Sequence, residues 1–307
     1  MKIFVTGGGG FIGYHLVNSL LKNNNSVTVY DSFTTNENKM LHLKKFGASI
    51  IQGDVTDYEL LFKSIDGFDS VIHLAARVNV EESIKAPELI HNVNVTGTVN
   101  LLRACVKQHI QNIIAASSAS VYGASKDLPL TENSKTIPIS PYGASKLAME
   151  HYMQAFSHSY DLNCISLRFF NIYGKGQSSK YGGVIKKLME KIEGNMPLEI
   201  IGDGTNTRDF VAIEDIISSI QNAMEKIEDK KGNFYNIGSG KPTSINEIVK
   251  LMLSISGKDL PITHKESKKG DISHSQASIS LAKKDLGYLP KITLKEGLTK
   301  LLEPLIN

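Results

Sequence analysis

The run Thr6-Gly7-Gly8-Gly9-Gly10-Phe11-Ile12-Gly13 decides how the rest of the chain is read. It follows a short apolar segment, residues 3–6. It opens an amphipathic one in which Phe11, Ile12, Leu16, Val17, Leu20 and Leu21 share a face at helical spacing. Asn23, Asn24 and Asn25, of a residue type that tolerates the left-handed conformation, stop that helix. A strand, a glycine turn and a helix in this order place unpaired N–H groups and the positive end of the helix dipole at the turn. Glycine lets the backbone approach a pyrophosphate and lets the helix pack close to the sheet. Two registers fit, Gly7-x-x-Gly10-x-x-Gly13 and Gly8-x-Gly10-x-x-Gly13, and spacing does not choose between them. A tight turn alone also favours glycine, but the context on both sides points to a dinucleotide site.

Working outward, apolar runs rich in Ile and Val recur at 27–30, 49–51, 71–74, 113–116 and 164–170, with amphipathic segments between them. Such runs suit strands buried on both faces. The alternation predicts an α/β fold, a doubly wound parallel sheet. Asp31 ends the second run, 24 residues after Gly7. A carboxylate there accepts both ribose hydroxyls of an adenosine and repels a 2′-phosphate, and no arginine follows nearby, so NAD is the expected cofactor. The plainer alternative is a solvated turn aspartate.

After residue 171 the rhythm breaks. Residues 174–183 hold four glycines and read as a loop. Helices are expected at 184–192, ended by Asn195 and Pro197, and at 213–226, 244–254 and 294–302, with a strand at 234–237. The chain shows no internal repeat, and mixed-sign charge clusters such as 225–231 read as solvated faces.

At about 150 residues per domain, 307 residues suggest two domains. Lys+Arg is 34 against Asp+Glu 31, a net charge of +3, which speaks against a nucleic-acid binder or an acidic tail. No apolar run reaches roughly 18 residues, and the N-terminus lacks the pattern of a secretory leader, so no membrane partner is expected. The two cysteines, Cys105 and Cys164, form no CxxC pair, which fits a reducing cytoplasm. The nine histidines show no metal-binding spacing, so no metal is expected.

Tyr142-Gly-Ala-Ser-Lys146 follows Pro138 and Pro141, where a helix should begin, and spacing i, i+4 puts Tyr142 and Lys146 on one face. A tyrosine ionises near pH 10 in water. A nearby ammonium and a positive nicotinamide would favour phenolate and make a general base near neutrality. The strand before it ends in Ser117, Ser118 and Ser120, at the sheet edge where open α/β sheets bind ligands. A polar strand end bonding its own turn is the bland alternative.

Together these segments resemble the extended short-chain dehydrogenase/reductase family, in particular its nucleotide-sugar epimerases and dehydratases. The resemblance covers nearly the whole chain. It rests on the glycine run with Gly53-Asp-Val55, His73-Leu-Ala-Ala76, Asn94-Val-Thr-Gly-Thr98, Ser117-Ser-Ala-Ser-Val-Tyr-Gly123 and Ser140-Pro-Tyr-Gly-Ala-Ser-Lys146. It continues through Leu167-Arg-Phe-Phe-Asn-Ile-Tyr-Gly174, Gly202-Asp-Gly-Thr-Asn-Thr-Arg-Asp-Phe210, Asn236-Ile-Gly-Ser-Gly240 and Gly270-Asp271. The resemblance implies a Rossmann domain over 1–171 plus 211–240 and a smaller C-terminal α/β substrate domain over 172–210 plus 241–307. The chain would leave the dinucleotide sheet near Asn171 and re-enter near Phe210.

It also implies roles. Gly7, Gly10 and Gly13 form the phosphate turn, with Phe11 and Ile12 offering N–H groups. Asp54 and Val55 flank the adenine, while Leu74, Ala75 and Ala76 line the cofactor and Asn94 supports it. Ser118, Tyr142 and Lys146 are the catalytic set, with Phe169 and Phe170 near the nicotinamide. Asn171, Val184, Arg208, Lys268 and Ser275 meet the nucleotide sugar. Arginine suits a diphosphate through its bidentate fork, although Arg208 could equally pair with Asp209. Lys268 stands where the family often has arginine and lacks that fork. A homodimer is implied, its subunits meeting through the helices of 92–108 and 142–158 as a four-helix bundle.

Dehydratases of the family carry an Asp-Glu pair where this chain has Ala119 and Ser120, so no carboxylate is available for loss of water. The small pair is similar to that of 4-epimerases. The implied reaction is transient oxidation of a UDP-hexose at C4 and reduction on the other face. Ser275 occupies a position where a small residue leaves room for a 2-acetamido group, so UDP-GlcNAc and UDP-GalNAc are expected beside UDP-glucose and UDP-galactose. The alternatives are a uronate 4-epimerase or a 4-keto-sugar reductase on the same scaffold, or a non-enzymatic dinucleotide sensor.

Overall fold

The computed structural model describes residues 1–34, 38–178, 183–266 and 273–306. The chain begins β1 (Lys2–Thr6), α1 (Phe11–Lys22), β2 (Ser26–Asp31), α2 (Asn38–Lys45), β3 (Ser49–Gln52), α3 (Tyr58–Ser64) and β4 (Ser70–His73). Next come α4 (Val80–Lys85), α5 (Pro87–His91), a π-helical turn (Asn92–Thr96) and α6 (Gly97–Lys107). Then follow β5 (Asn112–Ser118), a 3₁₀ turn (Ala119–Tyr122), α7 (Pro141–Tyr160) and β6 (Asn163–Phe169). The remainder runs β7 (Asn171–Tyr173), α8 (Val184–Glu193), β8 (Leu198–Ile201), β9 (Thr207–Ala212), α9 (Ile213–Lys226) and β10 (Asn233–Ile237). It ends with β11 (Pro242–Ser244), α10 (Ile245–Ser256), β12 (Ile262–Lys265), α11 (Ser280–Leu286) and α12 (Leu294–Ile306).

Seven strands form a parallel sheet in the order β10-β6-β5-β4-β1-β2-β3. Every expected strand of the first 170 residues lies in it. The order reverses between β1 and β4, the kind of crevice where open α/β sheets take ligands. The strands are apolar on both faces because helices cover both. On one side Leu16, Leu20, Ile216 and Ile220 close over Val5, Val29 and Ile72. On the other Leu61, Leu101, Leu102, Met149 and Met153 close over Phe4, Val71 and Ile113. The asparagine stop behaves as read: Asn25 N–H donates to Leu20 O at 3.1 Å and Asn24 takes φ 58°.

The later part adds a three-stranded sheet, β11-β9-β7, and a two-stranded one, β12-β8. Helices α8, α10 and α12 pack a third core there, around Leu188, Ile192, Leu198, Ile248, Met252 and Leu298. Phe210 lies on β9, inside the three-stranded sheet, and the chain regains the seven-stranded sheet at β10. The expected strand and four helices of this part are present, and α10 starts at a capping box of Ser244 and Glu247. The short strands β7, β8, β9, β11 and β12 were not expected, because after residue 171 the strand–helix alternation that marks the earlier short strands is broken.

Asp209 ties β9 to the turn after β10 and to the segment before α11. It is fully buried, and its carboxylate accepts from Ser239 N (2.6 Å), Ser239 Oγ (2.7 Å), Gly240 N (2.9 Å) and Ala277 N (3.0 Å). Removing it leaves buried N–H groups without an acceptor, each costing on the order of 1–3 kcal/mol. Asp209→Ala should therefore lower unfolding free energy by about 3 kcal/mol or more, seen as a lower denaturant midpoint at unchanged slope. A midpoint within error of the parent would contradict this placement.

Candidate functional site

The glycine turn sits at the reversal in strand order. Gly7 N–H donates to Tyr30 O at 2.9 Å, and Gly10 N–H donates to Gly7 O at 3.0 Å. A Cβ on Gly7 would lie 2.5 Å from Ala75 N, and Gly7 has φ +71°. A Cβ on Gly13 would lie 2.3 Å from Gly7 O. The turn is therefore built on Gly7, Gly10 and Gly13, which resolves the two registers; Gly8 is packed against the Val29 side chain instead. Gly10 caps α1 without a side-chain acceptor, so the N–H groups of Phe11 and Ile12 stand at the positive helix end.

Asp31 points back at this turn. Its Oδ2 accepts from Gly9 N at 2.8 Å and its Oδ1 from Phe33 N at 2.6 Å. Burial raises its carboxyl, opposed by those N–H groups and by the Lys39 ammonium. Lys39 Nζ donates to Gly10 O at 3.3 Å. Gly53 N–H donates to Asp31 O, and Tyr30 Oη donates to Asp54 O at 2.9 Å, which brings Asp31, Asp54 and Val55 to one edge. Val55 packs against Gly97, and Leu74, Ala75 and Ala76 follow β4 beside Gly7.

Behind the turn runs a buried chain of hydrogen bonds. Thr98 Oγ1 donates to Asn94 O at 2.6 Å, so it must accept from His73 Nε2–H at 3.0 Å. His73 Nδ1 is then an acceptor for Thr6 Oγ1 at 2.7 Å, and Thr6 Oγ1 accepts from Ala75 N at 3.3 Å. Burial first, then Lys146, takes His73 down to about 3. The side chain of Asn94, 1% exposed, accepts from Arg77 N (2.8 Å) and donates to Arg77 O (2.9 Å) and Ser145 Oγ (2.9 Å). Asn94 thus fixes the segment after β4 against α7.

Ser140 and Pro141 start α7 as expected, with Gly143 N–H donating to Ser140 Oγ at 3.1 Å. Tyr142 shares a hydrogen bond with Ser118, which pairs across the sheet with Phe169. Lys146 Nζ donates to Ala116 O at 2.7 Å. Burial lowers Lys146 to about 8, opposed by Glu150. In the chain alone burial raises the Tyr142 phenol and the Ser118 bond opposes that. Desolvation outweighs the Ser118 bond, so the chain alone holds the phenol towards its neutral form.

The residues expected at the sugar nucleotide gather around β9. Asn171 pairs with Phe210 across β7 and β9. Arg208 Nη1 donates to Thr207 O (2.9 Å) and Ser273 O (3.3 Å), and the carboxylate of Asp209 faces backbone donors. Ser275, buried, donates its N–H to Thr207 O at 3.1 Å. Val184 opens α8 and packs on the third core. Lys268 and the Gly270-Asp271 pair lie outside the described residues. Sequence reasoning gave no role to His73, Thr98 and Ser145 as positioners, nor to Glu150 and Arg168. The last two had a signal in Glu150, a third polar residue at spacing four on the Tyr142 face.

Cys105 and Cys164 are buried and free, and burial raises both thiols. Among the described residues no His/Cys/Asp/Glu group could hold a metal, and no helix is long and apolar enough to cross a membrane.

Residues 3–238 match the NAD dependent epimerase/dehydratase family. The fold is similar to a UDP-glucose 4-epimerase of Thermotoga maritima solved with UDP-glucose (TM-score 0.93, 33% identity, 99% of this chain and 98% of that one). It is similar to a UDP-N-acetylglucosamine 4-epimerase of Methanobrevibacter ruminantium solved with UDP-N-acetylmuramic acid (0.92, 31%, 98% and 97%). It is also similar to a UDP-glucuronic acid 4-epimerase of Bacillus cereus solved with UDP-glucuronic acid and NAD (0.92, 33%, 100% and 99%).

The hydrogen-bond chain makes His73 a neutral Nε2–H tautomer. Its value of about 3 lies below the ordinary 6.5, so the unfolded chain takes up a proton that the folded one refuses. Stability should be unaffected by His73 above pH 6.5 and fall as pH drops from 6.5 towards 3, by about 1.4 kcal/mol per unit. ¹⁵N NMR of His73 should show an unprotonated Nδ1 at neutral pH and still at about pH 5. An imidazolium signature at pH 6 would contradict the network.

Proposed function

The chain belongs to the NAD dependent epimerase/dehydratase family, and from that premise we propose that it inverts C4 of a UDP-hexose through a transient 4-keto sugar, as an NAD-dependent isomerase. The observation that carries this reading is the meeting of Ser118, Tyr142 and Lys146 at the carboxyl edge of the sheet, beside Ala119 and Ser120 rather than carboxylates.

The residues present fit NAD. The turn admits backbone only, since a Cβ on Gly7 or Gly13 would collide, and its uncapped N–H groups suit a pyrophosphate. Gly7, Gly10, Gly13, Phe11 and Ile12 would hold that group. Asp31, fixed by Gly9, would take the adenosine ribose, with Asp54 and Val55 at the adenine. Leu74, Ala75, Ala76, Asn94 and Phe169 would line the rest of the cofactor, with Tyr142 and Lys146 at its nicotinamide end. Bound NAD supplies the reversible oxidation of the sugar.

Tyr142 Oη takes the proton of the sugar 4-hydroxyl and later returns it. Ser118 Oγ, whose single hydroxyl proton serves Tyr142 in the chain alone, turns it to the same sugar oxygen once the sugar is bound. Lys146 favours the phenolate as an ammonium held by Ala116 O. Because burial raises Tyr142, that phenolate depends on positive charge in the assembled site. Asn171, Val184, Arg208, Ser275 and Lys268 bind the nucleotide sugar, Arg208 through its charge on the diphosphate.

A wider substrate range is the second reading. Ser275 is small and buried, and it stands where the resemblance implies that a small residue would leave room for a 2-acetamido group. The likeness to the Bacillus cereus enzyme keeps UDP-uronate 4-epimerisation as an alternative. We place the enzyme in the cytoplasm as a homodimer joined through 92–108 and 142–158. Exposed Tyr152 supports that face, whereas Leu101 serves the chain's own core. We divide it into a cofactor part, 1–171 with 211–240, and a substrate part, 172–210 with 241–307.

Tyr142→Phe should keep its NAD, measured by release on denaturation, and lose roughly 10³-fold or more in epimerisation of UDP-glucose and UDP-galactose. A fully active variant would sink the mechanism. Parallel assays with UDP-GlcNAc and UDP-GalNAc should show turnover, and none would remove the wider range.

A further inference from the structure

Helix α7 carries a third polar residue on the stripe of Tyr142 and Lys146. Glu150 stands one turn beyond Lys146 at spacing four. All three meet the end of β5. Tyr142 is bonded to Ser118, Lys146 Nζ donates to Ala116 O, and Ser117 Oγ donates to Glu150 Oε1 at 2.5 Å. Three successive residues of one strand therefore grip three successive turns of one helix.

Glu150 is 1% exposed, and Arg168 holds it with a fork. Nε donates to Oε1 at 2.9 Å and Nη2 to Oε2 at 2.7 Å. Arg168, 2% exposed, pairs with Ser117 across β5 and β6. Its Nη1 donates to Tyr122 Oη (2.8 Å) and Glu132 O (3.2 Å), and its guanidinium lies 3.9 Å from the Phe234 ring centroid. A buried ion pair is weak evidence for stability, because apolar replacement of both partners is often neutral or better. Its presence beside Lys146 asks for a role there.

We propose that Glu150, held by Ser117 and Arg168, is a positioning residue for the reaction: it sets the register of α7 on β5 and keeps Lys146 charged. It acts through Lys146 and touches neither sugar nor cofactor. The inference rests on the reading of Lys146 as the ammonium beside Tyr142.

The titratable groups facing Lys146 are His73 from β4 and Tyr142 and Glu150 from α7, with Arg168 from β6 behind Glu150. His73 is neutral and Tyr142 is held towards its neutral form, so Glu150 supplies the negative charge. Burial already takes Lys146 to about 8 against the pull of Glu150. Neutralising Glu150 removes that pull, so Lys146 loses its proton at a lower pH. The alkaline limb of kcat should then move to lower pH.

Glu150→Gln alone leaves Arg168 buried without its partner and risks the fold. The working variant is therefore Glu150→Gln with circular dichroism and thermal unfolding to verify folding. Glu150→Gln/Arg168→Met, which removes a cation with the anion and leaves the net charge unchanged, is the second variant, in which Lys146 should stay near the parent midpoint. Two readouts are taken. ¹³Cε NMR of Lys146 gives its midpoint directly, and kcat against pH with UDP-glucose and UDP-galactose gives the alkaline limb. In Glu150→Gln both should fall by about one pH unit, with KM within about threefold of the parent. An unchanged Lys146 midpoint in folded Glu150→Gln overturns the proposal, whatever its activity, and so does a fall of about one unit in the folded double variant. A lowered midpoint with an unmoved pH profile would instead sever Lys146 from the rate and overturn the catalytic reading beneath it.

Discussion

Everything at the carboxyl edge of the large sheet depends on one backbone approach. Gly13 stands against Gly7 O, and Gly7 stands against Ala75 N, at separations that no side chain tolerates. That contact seats the first turn of α1 between β1 and β4, where the strand order reverses. The seat delivers three things at once. The N–H groups of Phe11 and Ile12 face outward, Gly9 fixes the Asp31 carboxylate, and Ala75 reaches Thr6 Oγ1. A side chain at either glycine would displace all three, because they share the same few atoms of backbone.

From Thr6 the constraint passes inward through His73 and Thr98 to Asn94, and from Asn94 to Ser145 on α7. The helix that carries Tyr142 and Lys146 is thus tied to the phosphate turn by polar atoms in a dry interior, where each unmade bond is costly. The neutrality of His73 belongs to the same design. A second buried cation next to Lys146 would push both towards losing protons, and burial resolves the contest by keeping His73 neutral. Lys146 then keeps one buried anion, Glu150, on its side. Proton states here follow from which groups the fold buries together, more than from any one pair.

Much of this was legible in the sequence for a physical reason. Strands buried on both faces must be continuous apolar runs, and a helix entering a pyrophosphate turn must be preceded by glycine, so 3–6 with Gly7 to Gly13 announced the sheet. The choice between glycine registers was legible through likeness but not through spacing, because it depends on Ala75 and Val29, residues far away along the chain. Asn94 could be marked only by likeness, since its partners Arg77 and Ser145 lie 17 and 51 residues away. The burial of Tyr142 was not legible either, because a tyrosine–lysine spacing reports proximity but not desolvation, and in the chain alone burial raises the phenol. Short strands such as β9 escaped because packing against β7 and β11, not local pattern, makes them strands.

Strand β9 shows how the period of two lets neighbouring residues of opposite charge do unrelated work. Successive side chains of a strand point to opposite faces, so Arg208 and Asp209 diverge. Asp209 turns inward, where four donors from Ser239, Gly240 and Ala277 tie β9 to the turn after β10 and to the segment before α11. Arg208 turns to the other face, bound to Thr207 O and Ser273 O next to Ser275. A surface ion pair between the two would have blunted both. With Asp209 held by donors from Ser239, Gly240 and Ala277, the guanidinium sits on the central strand of the three-stranded sheet.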